Sequence, residues 1–106
     1  MFVAMNRFKI VKGREADFET VWRNRDSKLA GVPGFIDFHL LKGPEADGHV
    51  LYASHSVWES RDAFEAWTKS DAFRQAHAGA RPSMDLYLGP PELETFESVM
   101  QTAADS

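Results

Sequence analysis

Apolar and polar positions alternate from Phe2 to Val11, with Phe2, Ala4, Asn6, Phe8 and Ile10 on one face and Val3, Met5, Arg7, Lys9 and Val11 on the other. This period of two predicts a strand. Both faces are largely apolar in its first half, so it is expected to be covered on both sides. After Lys12-Gly13 the period changes: Phe18, Val21, Trp22, Arg25 and Leu29 fall at helical spacing, predicting a helix over 14–29. Gly31-Val32-Pro33-Gly34 stops it. Phe35 to Lys42 and His49 to Trp58 read as two strands joined by a six-residue, turn-rich connection, Gly43 to Gly48. Ser60 is placed to cap a helix carrying Phe64 and Trp67, with Asp62 in its first turn. Ser70 is placed to cap another, carrying Phe73 and His77 and ended by Gly79 and Pro82. Ala80 to Pro91 holds three prolines and reads as a long loop. Glu92 to Met100 alternates again as a last strand, and 101–106 reads as a frayed tail.

The order β-α-β-β-α-(α)-β predicts an α+β, ferredoxin-like domain over 1–100, a four-stranded antiparallel sheet with its helices on one face. A chain of 106 residues leaves no room for a second core. The sheet face opposite the helices still carries Val3 and Met5, so a second subunit is expected to cover it.

Composition narrows the function. A net charge of −4, from 12 Lys+Arg against 16 Asp+Glu, disfavours a nucleic-acid partner. No apolar run approaches the roughly 18–20 residues of a membrane span, and no basic segment leads into an apolar one at the N-terminus. Without cysteine there is no disulfide, thiolate metal site, iron–sulfur cluster or Cys nucleophile. These features fit a cytoplasmic protein. Chemistry must then come from His, Asn, Trp, Arg, carboxylates or a borrowed cofactor.

Four residues break the pattern. Asn6 sits on the helix-facing side of the first strand, where a buried amide needs a partner: either nearby backbone or something bound. His77 shares the helical face of Phe73 and either interacts with a helix C-terminus or ligates a metal. One His cannot hold a bare ion, but it suffices for haem, whose porphyrin supplies four donors. Trp67 accompanies Phe64 on an apolar face and is either plain core or a pocket wall. Arg25 interrupts the apolar stripe of the first helix, either snorkelling past the core edge or pairing with a carboxylate ligand. His39, His49 and His55 have no ligand-spaced neighbour, and Glu15, Asp17 and Glu19 read as a solvated face. No nucleophile motif, phosphate loop or dinucleotide fingerprint is present.

Asn6-Arg7-Phe8, Pro33-Gly34-Phe35 and Val57-Trp58-Glu59-Ser60 resemble the antibiotic-biosynthesis-monooxygenase superfamily. Phe64-Glu65-Ala66-Trp67 followed by Phe73-Arg74-Gln75-Ala76-His77 is similar to its IsdG-type haem-degrading branch. The resemblance covers almost the whole chain and implies a homodimeric α+β barrel that opens haem oxidatively, releasing iron and a bilin. Haem would be both substrate and cofactor, O2 the oxidant, and an external reductase or small reductant the electron source. The resemblance puts the family's Asn–Trp–His set on Asn6, Trp67 and His77: His77 as the iron ligand, Asn6 as donor to the reacting oxygen, and Trp67 pressing the porphyrin out of plane. Trp22 stands where the family has an aromatic beside the haem, usually Phe. Phe64 and Phe73 flank the same pocket, and Arg25 is a propionate partner. Two other functions remain open: a cofactor-independent, quinone-forming monooxygenase on aromatic substrates, which has no need of His77, and a non-catalytic dimeric haem- or ligand-binding module.

Overall fold

The computed structural model describes residues 1–25, 28–77 and 85–104, and for Ala76 and His77 the backbone alone. Four strands, β1 (Phe2–Val11), β2 (Phe35–Ala46), β3 (His49–Trp58) and β4 (Glu92–Glu97), form one antiparallel sheet in the order β2-β3-β1-β4. Three helices, α1 (Glu15–Asn24), α2 (Arg61–Thr68) and α3 (Asp71–His77), complete the expected α+β arrangement.

The alternation of β1 sets the layers. Phe2, Ala4, Phe8 and Ile10 are buried beneath the helices, while Arg7 and Lys9 point outward and are exposed. A slip of one residue would exchange the two sets, so burial pins the register, which runs from Phe2 opposite Trp58 to Val11 opposite His49. The core has two centres on this one face. Phe8, Ile10, Phe18, Val50, Tyr52 and Leu86 pack under α1, and Phe2, Ala4, Leu29, Trp58 and Trp67 pack under α2.

Three boundaries differ from the sequence expectation. The first helix ends at Asn24 rather than Leu29: Arg25 is already extended, and Leu29 enters the core from a short 3₁₀ turn, Leu29–Gly31. Asn24, Asp26 and Ser27 are poor interior helix residues because their side chains compete for backbone hydrogen bonds. The hairpin connection is two residues, Asp47-Gly48, not six, because β2 continues to Ala46 across a bulge between Lys42 and Glu45. Gly48, at φ 82°, supplies the left-handed conformation such a tight turn requires. The last strand stops at Glu97, opposite Phe2; one further backbone bond, from the Ser98 N–H to the Met1 carbonyl at 2.9 Å, follows it, and Val99 and Met100 are exposed.

Gly34 starts β2 at φ 81°, and a Cβ there would lie 2.4 Å from the Ala63 Cβ, so this glycine lets α2 rest against the sheet edge. Of the expected 80–91 loop, the part from Asp85 onward is described. It is not a free loop: Leu86 is buried, Tyr87 bridges Ile10, and the Leu88 N–H donates to the Lys9 carbonyl at 2.9 Å. The rest of that segment, with Gly79 and Pro82, lies outside the described residues.

No helix among the described residues covers the outer sheet face. Val3 lies between Val57 and Phe96, Met5 beside His55, and Leu41 beside Ala53. Phe96 and Leu41 are 48% and 42% exposed, so apolar surface runs across all four strands. Among the described residues no helix is long and apolar enough to cross a membrane.

Candidate active site

Between the sheet and α1, α2 and α3 lies a cavity of about 270 Å³. Six of the seven predicted binding residues line it: Asn6, Trp22, Arg25, Phe64, Trp67 and Phe73. The seventh, His77, closes α3 one helical turn beyond Phe73; its side chain lies outside the described residues. His39, His49 and His55 stand elsewhere. His39 and His55 pair on the outer sheet face with ring centres 6.4 Å apart, and neither lines the cavity.

Local sequence builds the aromatic wall. The Ser60 hydroxyl accepts from the Ala63 N–H and starts α2 as expected. Ser70 has two bonds: it donates to the Trp67 carbonyl at 2.6 Å, closing α2, and accepts from the Phe73 N–H at 3.1 Å, opening α3. This one hydroxyl brings Trp67 and Phe73 into a T-shaped contact at 5.4 Å. Behind them Trp67 stacks on Trp58 at 6.3 Å, and the Trp58 indole N–H is held by the Ser56 hydroxyl at 3.0 Å. Trp67 is therefore core and cavity wall at once.

Opposite stands Trp22, stacked on Phe38 at 5.8 Å and 18°. Both rings also line a second recess of about 320 Å³ with Lys42 and Tyr52, so this stack is the partition between two spaces. Arg25 sits half-buried with its guanidinium 4.2 Å over the Trp22 ring, and burial lowers its pKa from the usual value. No carboxylate among the described residues pairs with it. Burial also raises the pKa of Tyr87, against the pull of Arg25 and the Trp22 indole.

The sheet supplies a polar floor. Asn6 and Ser54 are register partners on β1 and β3, and neither side chain bonds to a described residue. The structure thus removes the backbone-bonded alternative for Asn6. Ser54 and Ser56 were missed in the sequence, although the signal was the one that flagged Asn6: a polar residue on the buried side of an alternating strand.

The carboxylates of α1 need a correction. Glu15 accepts from the Gly13 N–H and Asp17 pairs with Arg14, both near the surface. Glu19, however, is partly buried and accepts from the Tyr52 hydroxyl at 2.6 Å and from Arg23 at 3.1 Å. The Tyr52 hydrogen bond holds the Glu19 pKa below its usual value, and burial followed by Glu19 pushes that of Tyr52 up. Glu19 is part of the frame under α1, not of a solvated face.

The donor set suits a flat, mostly apolar molecule carrying anionic groups: aromatic walls, a half-buried cation that no described carboxylate pairs, and a small polar floor. A volume near 270 Å³ is just below the roughly 300–1,000 Å³ of ligand sites, and the second recess lies behind the shared Trp22–Phe38 wall.

The family described as antibiotic biosynthesis monooxygenase matches residues 1–79, and the chain belongs to it. A mycobilin-producing heme oxygenase of Mycobacterium tuberculosis is 32% identical over 98 residues, covering 92% of this chain and 89% of that protein. The crystal structure of the heme-degrader MhuD from M. tuberculosis, with two hemes in its active site, superposes with a TM-score of 0.74 at 30% identity, covering 97% of this chain and all of that one. SnoaB, a cofactor-independent oxygenase from Streptomyces nogalater, gives a TM-score of 0.66 at 27% identity over 98% of each chain.

Proposed function

We propose that this protein is a haem-degrading monooxygenase that binds haem in the cavity between sheet and helices and opens the ring oxidatively, releasing iron and a bilin. The observation that carries the reading is that Asn6, Trp67 and Arg25, scattered over a strand, a second helix and the end of a first, converge on one aromatic-walled cavity. The likeness to a mycobilin-producing heme oxygenase and to MhuD with heme bound supports it.

Bound haem supplies both the ring to be cleaved and the iron at which O2 is activated, with electrons from an external reductant. The protein's part follows from its residues. Arg25 offers its guanidinium, which no described carboxylate pairs, to the carboxylates of the substrate, as a charge-assisted contact in a partly desolvated position. Trp67, backed by Trp58 and Phe73, is a stiff surface that would bear on a bound planar ring, distortion being one of the protein's levers on haem. Asn6 projects an unspent amide N–H toward the reacting oxygen and costs no reorganisation when charge develops there. His77, at the end of α3, would hold the iron through a neutral imidazole nitrogen. The uncovered apolar face of the sheet joins two subunits back to back.

Likeness to SnoaB favours a second reading, a cofactor-independent oxygenase acting on an aromatic substrate in the same cavity. One experiment separates them. Anaerobic haem titration should give a saturable Soret band; ascorbate and air should then bleach it, with a bilin and free iron as products by mass spectrometry. Absence of the band rejects haem degradation in favour of the second reading. A stable band under reductant and air leaves a binding module.

A further inference from the structure

We propose that Ser54 is a second hydrogen-bonding residue of this site, acting beside Asn6 on the oxygen consumed in ring opening; the inference rests on the haem-degrading reading above. Two serines share the buried face of β3, two residues apart, and their hydroxyls have different fates. The Ser56 hydroxyl is engaged twice, donating to the Ala4 carbonyl at 3.2 Å and accepting from the Trp58 indole at 3.0 Å. The Ser54 hydroxyl has no hydrogen-bond partner among the described residues, although the residue is only 6% exposed and lines the cavity.

A polar residue stands out on this face, where the neighbours Val50, Tyr52 and Trp58 show what packing alone selects, and its hydroxyl is left to meet whatever occupies the cavity. Ser54 faces Asn6 directly across the strand pair. Such partners hold their Cβ atoms about 4.5–5.5 Å apart, close enough for both side chains to reach one small group between them. The chemistry is complementary. The Asn6 amide donates through nitrogen, whereas the Ser54 hydroxyl donates once and accepts, turning to suit the group it meets. A diatomic oxygen species lying over the floor therefore receives two donors from two strands, which restrict its orientation where one would leave a cone. No bond to Ser54 forms or breaks; its contribution is a hydrogen bond that strengthens as charge develops on oxygen.

The test uses the full chain with Ser54→Ala and Ser54→Thr. Haem affinity is read from the Soret band, the C–O stretch from the ferrous carbon monoxide complex, and single-turnover decay from ascorbate and air. Ser54→Ala is expected to bind haem within threefold of the parent, to raise the C–O stretching frequency through loss of a donor, and to slow decay roughly 10- to 100-fold. Its ligand-free melting midpoint should stay level or rise, because no described protein group loses a partner. Ser54→Thr, which keeps the hydroxyl, should restore both stretch and rate. If the parent shows its Soret band and decay while Ser54→Ala leaves stretch and rate unchanged, the role of Ser54 is overturned and the functional reading stands. A Ser54→Ala protein that melts well below the parent also overturns it, in favour of a structural serine. No Soret band in the parent overturns both together.

Discussion

Arg25 holds its guanidinium 4.2 Å over the ring of Trp22, three residues earlier in the chain. Helical spacing places the two on neighbouring positions at the end of α1, and the chain turns extended at Arg25. The contact gives a half-buried cation an electron-rich face, about 0.5–2 kcal/mol of attraction, without neutralising its charge. Among the described residues no carboxylate neutralises that charge.

Arg25→Ala is accordingly expected to weaken haem binding by roughly 10- to 100-fold, the 1.5–3 kcal/mol of a hydrogen bond to a charged group. The dimethyl ester of haem, which lacks the carboxylates, should bind parent and variant alike. Equal losses for acid and ester would assign Arg25 to packing instead. Soret titration measures all four combinations.

His77→Ala should remove the axial nitrogen, shift the Soret band and abolish ring opening. His39→Ala and His55→Ala, on the outer face of the sheet, are the controls and should leave the spectrum intact. An unchanged spectrum and turnover in the His77 variant would reject it as the ligand.

Asn6→Ala should keep haem affinity within about tenfold, or 1.4 kcal/mol, yet lose about 10²–10³ in degradation rate, as for one preorganised donor. Trp67 is harder to probe. It is 6% exposed, and truncation of such a residue to Ala costs about 3–5 kcal/mol, a large share of the roughly 5–15 kcal/mol that holds a domain folded. Trp67→Phe is the better variant: the fold should survive and both ring distortion, read by resonance Raman, and rate should fall together. Loss of rate with distortion unchanged would separate the two and remove the proposed role.

Tyr52→Phe should destabilise the protein by about 1–3 kcal/mol near neutral pH, since it deletes a hydrogen bond to a carboxylate at a nearly inaccessible position. The pH dependence has a defined sign. Glu19 has a lowered pKa when folded, so its contribution is present above the unfolded carboxylate value of about 4.3 and is lost as pH falls through the folded one. Tyr52 has a raised pKa, so its contribution is complete below about pH 10 and erodes above it. The difference between parent and variant in denaturant titrations should therefore narrow at both extremes.

Val57→Lys places a charge in the middle of the outer sheet face, next to Val3. It should convert a dimer into a folded monomer, seen by sedimentation at micromolar concentration. The parent should unfold with a midpoint that rises with concentration. A parent that sediments as a monomer with ordinary stability would reject the back-to-back arrangement.

Much of this protein is legible in one dimension because its elements announce themselves locally. The alternation of Phe2 to Val11, the helical stripe of Phe18 and Trp22, and the capping serines Ser60 and Ser70 each follow from a period or a side-chain hydrogen bond within a few residues. Such signals determined the element order, the buried face of the sheet and the oddity of Asn6. What needed the tertiary structure was everything set by a neighbour distant in sequence. The placement of Leu29 depends on a core built by Phe2, Trp58 and Trp67. Glu19 reads as solvent-facing until Tyr52, 33 residues away, is seen to donate to it. Ser54 and Ser56 are indistinguishable along the chain. Only the fold shows that one hydroxyl is occupied in holding Trp58 and the other opens into the cavity beside Asn6, because hydrogen-bond satisfaction belongs to three-dimensional neighbours and not to sequence position.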